Sequence, residues 1–178
     1  MPQAGFSRFF LRVTACHMVT YFVAGILAYT LLDYATAFQS EHFACWMRPT
    51  TSKWVAAGPG LQWIRGLVFA VALYPFRHVF LEGERGWLKL WGLLLGLGIL
   101  STYGPAPGSV EGLLYTTIPP LDQVRGLGEV VGQSLAFSIL LVAWYRRPHR
   151  AWGIVLYTMT ALVVLMSVAG VLVPRAPR

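Results

Sequence analysis

The chain has 178 residues, of which 56% are hydrophobic and only 12% charged, where soluble domains carry roughly 25% charged residues. A compact domain of this length cannot hide that much apolar surface in its own core, so lipid is the expected cover. Disorder, a disulfide scaffold and a nucleic-acid module are excluded: the formal charge is +7, yet the basic residues are scattered between apolar runs and form no stripe.

A helix crossing the hydrocarbon core needs about 20 mostly apolar residues. Five stretches meet that need, at residues 13–33, 60–80, 86–103, 127–145 and 151–173. The predicted fold is all-α, a polytopic transmembrane helical bundle forming one integral membrane domain over residues 1–178. In the first stretch His17 is the only acidic or basic side chain before Asp33. That stretch is too polar in its middle for a removed signal peptide and has no small-residue cleavage site, so it is expected to stay in the mature protein. The second is the least apolar, with Arg65 near its start and Arg77 and His78 near its end. Lys89 opens the third; Glu129, Gln133, Ser134 and Ser138 lie in the fourth; the fifth has no charge.

Two connecting loops are long, 34–59 and 104–126. The first predicts a short interfacial helix carrying Trp54 after a cap at Thr51 or Ser52. In the second, Gly104, Pro105, Pro107 and Gly108 break any helix, and Pro119-Pro120 follows the apolar stretch 113–118. A re-entrant half-helix at about 109–118 fits that length, and an ordinary loop resting in the headgroups fits it too.

Arg8, Arg12, Arg77, Arg85, Lys89, Arg146, Arg147 and Arg150 fall on one side of these spans; Arg48, Lys53, Arg125, Arg175 and Arg178 fall on the other. Positive residues are retained in the cytoplasm, so the amino terminus is expected inside and the carboxyl terminus outside, in a plasma or inner membrane. Aromatic residues agree, with Trp87, Trp91, Trp144, Tyr145 and Trp152 at inner ends and Tyr34, Trp46, Trp54, Trp63 and Tyr103 at outer ends or loops. Ala24/Ala28, Gly92/Gly96 and Gly128/Gly132 repeat at four-residue intervals, which predicts close helix packing within the chain or contacts to a protein partner or second copy.

Arg65 is the first candidate for function, because an intramembrane arginine costs at least ~2.5 kcal/mol on insertion scales unless satisfied. Asp33, Glu111 and Glu129 are its candidate carboxylate partners, and a structural salt bridge is the plain expectation. The sharper one is that Arg65 binds an anionic ligand. Gln62 lies about one turn away, Glu129 and Gln133 form another turn-spaced pair, and Tyr115 follows Glu111 on the re-entrant stretch. Together they predict an outward-facing pocket for a small polar or anionic ligand, in transport or sensing. A structural subunit of a larger membrane complex is the alternative, and an intramembrane enzyme acting on a lipid or lipid-linked substrate the second.

No motif names a reaction. Gly-x-Ser-x-Gly, His-Glu-x-x-His and a phosphate-binding Gly-x-x-x-x-Gly-Lys are all missing, so a non-catalytic role is expected. No metal spacing occurs and no cofactor is expected; the one alternative is a b-type haem held by His17 and His78. Cys16 and Cys45 fall at different depths and predict no disulfide. In size, hydrophobicity and the Ala24 to Ala28 spacing, the chain resembles the small substrate-binding membrane subunits of vitamin uptake transporters. That resemblance implies six helices, with 109–118 serving as the sixth.

Overall fold

The computed structural model describes residues 5–45, 47–99 and 104–173. Trp46, Tyr103, Arg175, Arg178 and the last four residues of the expected third span lie outside the described residues. Among the described residues seven α-helices follow one another: α1 Phe6–Leu31, α2 Tyr34–Ala37, α3 Lys53–Leu73, α4 Gly86–Ile99, α5 Val110–Tyr115, α6 Pro120–Arg146 and α7 Arg150–Leu172. A single π turn, His78–Glu82, joins α3 to α4. No strand occurs among the described residues. Helices α1, α3, α6 and α7 are long and apolar enough to cross a membrane, and α4 is a shorter apolar helix.

Three helices begin about seven residues earlier than hydropathy predicts, and each shift has a local cause. α1 runs back through Arg8 and Arg12, whose long stems tolerate the edge of an apolar layer; Arg12 ends over the Trp144 ring at 5.2 Å. α3 starts directly after Ser52, whose side chain accepts a hydrogen bond from the Trp54 N–H. The capping residue was legible, but the helix it opens is α3 itself, which continues through Pro59 instead of stopping there. It ends at Leu73 rather than at residue 80, because Pro75 supplies no N–H and restricts Tyr74 before it. α6 begins with Pro120 at its first position, where a missing N–H costs nothing. The prolines therefore open α6, and the connection expected over 104–126 shortens to 104–119.

Helix α1 is the centre of the bundle, packed on α3, α6 and α7, while α4 leans on α6. Phe9 and all its residues from Val13 to Thr20 are buried, and toward its C-terminal end only Ala28 is. The core accordingly gathers at one half of the bundle: Phe9, Val13, Cys16, Ala70, Leu81, Leu90, Phe137, Leu141 and Trp144 form one cluster. The close helix approaches fall on α3. A Cβ on Gly66 would meet Thr14 Cα at 2.8 Å, and one on Gly60 would meet Ser167 Cβ at 2.8 Å. At Gly92/Gly96 and Gly128/Gly132 no close approach occurs among the described residues; a Cβ there meets nothing within 4 Å.

The corner between α3 and α4 is tied to the end of α6. Arg146 donates to the Leu81 carbonyl at 2.8 Å and also to that of Gly83, and the Tyr145 hydroxyl donates to Glu82 at 2.9 Å. Opposite this corner, buried Gln123 holds the segment around α5 against α6. It accepts from the Gly108 N–H at 3.3 Å and donates to the carbonyls of Gly112 and Ile118 at 3.2 and 2.8 Å.

Candidate functional site

His17, Gln62 and Gln133 stand near the midpoints of α1, α3 and α6, where a spanning helix is farthest from water. The fully buried His17 ring contacts both amides: Nε2 is 3.0 Å from Gln62 Oε1, and Nδ1 is 3.5 Å from Gln133 Nε2. These partners assign the proton to Nε2, which donates to Gln62, while Nδ1 accepts from Gln133. Phe69 and Phe137 pack edge-on against the same ring, with centroids 5.0 and 6.0 Å away. A polar trio inside an aromatic wall leaves no imidazole nitrogen without a partner, as burial in apolar surroundings demands.

About one turn along α6 from Gln133, Glu129 accepts a hydrogen bond from the Tyr34 hydroxyl of α2. Burial first, and the bond to Glu129 second, push the Tyr34 phenol above its ordinary range, so it remains a donor at neutral pH. Tyr34 stacks on Phe38 at 4.8 Å between centroids, which orients the phenol toward α6.

Glu129 lies on the wall shared by two cavities. One, of about 520 Å³, runs between α1 and α6; it is lined by Ala24, Ala28, Gly128 and Gly132 and by the larger apolar side chains beside them. The other, of about 680 Å³, opens at the α2 end of the bundle between α1, α6 and the loops, past Tyr21, Asp33 and Phe43. Leu31, Leu32 and Arg125 border both. A third, of about 340 Å³, lies between α3 and α7 and is apolar except at Ser167.

The residues expected to form one pocket thus separate into groups. Gln62 and Gln133 meet, but on His17 rather than on Arg65. Glu129 and Asp33 share the mouth cavity. Arg65 lies past the midpoint of α3, not near its start, because α3 begins at Lys53. Its guanidinium sits over the Phe69 ring at 5.6 Å; among the described residues the ion pairs are His78–Glu82 and Asp122–Arg125, so Arg65 has no carboxylate partner there. It lines none of the three cavities. Glu111, in the first turn of α5, and the exposed Tyr115 line none of them either. His17 and His78 are not brought together: His78 lies in the π turn, bonded to Glu82 at 2.7 Å. No group of three or more metal-ligating side chains occurs among the described residues. Tyr34, Tyr21, Asp122 and Arg125 are among the cavity residues outside the expected set. His17 was weighed only as a haem ligand, although a titratable group in mid-span is itself a signal.

Comparison with family models, with curated proteins and with solved structures finds no match to this chain.

Proposed function

We propose that this is a multi-pass membrane protein that binds a small amphiphilic molecule between α1 and α6, in transport or sensing. The observation that carries the reading is the position of Glu129, a carboxylate on a spanning helix where an apolar groove meets a wider, more polar mouth. Intramembrane acids are costly and mark ligand or ion paths more often than they serve packing. A mostly apolar cavity with a few convergent polar groups is the usual form of a small-molecule site. In this reading Gly86–Ile99 is a fifth crossing, the α5 segment lies over the mouth, and the amino terminus faces the cytoplasm. Arg8, Arg12, Arg77, Arg85, Lys89, Arg146, Arg147 and Arg150 then form the cytoplasmic rim.

The test is purification in mild detergent followed by mass spectrometry of extracted small molecules. Wild type is expected to retain a molecule that Gly132→Leu loses, because the new side chain enters open groove space and meets no neighbour at its Cβ. Identical extracts from both proteins would end the reading. A second reading, a structural subunit, is favoured by Arg65, an exposed guanidinium in mid-span with no carboxylate partner among the described residues. Copurification of a stoichiometric partner that Arg65→Leu releases would support it.

A further inference from the structure

Resting on the two-chamber site proposed above, we infer that its ligand carries a cationic head, an amine or quaternary ammonium, on a single apolar chain. The sign follows from what lines the mouth. Asp33, Asp122 and Glu129 contribute three carboxylates and Arg125 the one guanidinium. Arg125 is already committed, with its guanidinium 3.3 Å from Asp122, so Asp33 and Glu129 set the charge that a ligand meets. Arg65, the cation on which an anionic ligand would depend, lines neither chamber.

Four aromatic side chains line the same mouth. Tyr34 and Phe38 form a stacked pair, and Phe43 and Tyr21 stand on the same cavity wall. Aromatic faces attract ammonium groups through their quadrupole, and more strongly where water is excluded. Carboxylates supply the opposite charge and charge-assisted hydrogen bonds. The mouth therefore favours a cation by two independent kinds of contact.

The groove below it sets the rest of the molecule. Besides Glu129, Gln133, Thr20 and Arg125 its lining is aliphatic or small, with Val23, Leu27, Ala24 and Gly132, over a volume of about 520 Å³, a surface suited to an apolar chain. A head at Glu129 and a tail along Ala24 and Gly132 place the ligand parallel to α1, with the charged end at the polar mouth. No bond is made or broken in this assignment.

Three ten-carbon probes differing only in the head separate the outcomes: decyltrimethylammonium, decyl sulfate and decyl maltoside, each titrated below micelle formation onto the full chain in zwitterionic nanodiscs. Decyltrimethylammonium is expected to bind tightest. Asp33→Asn with Glu129→Gln should weaken it on the order of tenfold, through loss of the opposite charge that faces the ammonium, and leave the maltoside unchanged. If the double variant does not fold, Asp33→Asn alone serves, since asparagine tolerates the left-handed backbone of that position (φ 45°). Equal binding of all three probes, or preference for the sulfate, with every probe lost in Gly132→Leu, overturns the cationic assignment and leaves the cavity standing. Binding that Gly132→Leu does not alter overturns both.

Discussion

The half of the bundle around Leu141 and the half around Glu129 are built from the same helices, yet one is packed and the other is open. In the first, Val13, Cys16, Leu141 and Ala70 have no exposed surface, and Gly66 lets α3 close onto Thr14. In the second, Gly128 and Gly132 have no neighbour where a side chain would begin, and they line a cavity. The four-residue spacing of small residues is thus not itself a packing signal. It removes side chains from a strip of helix, and the opposing surface decides whether backbone or empty space fills the strip. Between the halves lies the layer of His17, Gln62 and Gln133, which ties the three helices together just where close packing gives way.

This contrast can be broken in order of size. Phe137→Ala removes a ring that is 1% exposed, and about 3 kcal/mol of stability is expected to go with it, read as the midpoint of thermal unfolding in detergent. Gly132→Leu, in the open half, should leave that midpoint nearly unchanged in ligand-free protein. If the two variants unfold alike, the halves are not different in kind.

His17→Leu leaves both glutamine amides without a partner in apolar surroundings, at a cost of about 2 kcal/mol. Replacing His17, Gln62 and Gln133 together by leucine should recover most of that loss, because removing every member of a polar network leaves no unpaired group. A triple variant less stable than the single one would mean that the layer does more than tie helices.

Gln123→Ala acts on the open half alone. It frees the Gly108 N–H and two carbonyls of the α5 segment, so about 1 kcal/mol is expected, with faster hydrogen exchange confined to 104–119. Uniform exchange across all helices would show that this segment is not separately anchored.

The smallest effect lies at the opposite end. The bond from His78 first, and that from Tyr145 second, hold Glu82 below its ordinary carboxylate value of 4.5. A lowered carboxylate contributes stability that is complete above the ordinary value and is lost as pH falls through the lowered one. Proteolysis at the π turn should therefore accelerate below about pH 4.5, and Glu82→Gln should remove the pH dependence. An unchanged acid profile in that variant would place the effect elsewhere.

What sequence reading reached and missed divides along physical lines. Spanning stretches were visible because hydropathy is a local sum, and α7 is found within one residue of its expected limits. Starts were missed where a cap or a first-turn proline outweighed hydropathy, as at Ser52 and Pro120. The start of α3 then carried Arg65 away from the acids assigned to it. Gln62, Gln133, Glu129 and Asp33 were singled out as residue types that are expensive in lipid, but their partners His17 and Tyr34 were not assigned to them.

Composition alone pointed to a membrane, since a core of this length cannot cover so many apolar residues, and four helices are long and apolar enough to cross one. Turn-scale patterns added the helices and the charge at their ends. Only the tertiary structure decided that His17 joins Gln62 and Gln133, across 45 and 116 residues, and that Tyr34 reaches Glu129 across 95. Those pairings depend on how each helix is rotated about its axis, a quantity set by packing against its neighbours and by no local run of residues.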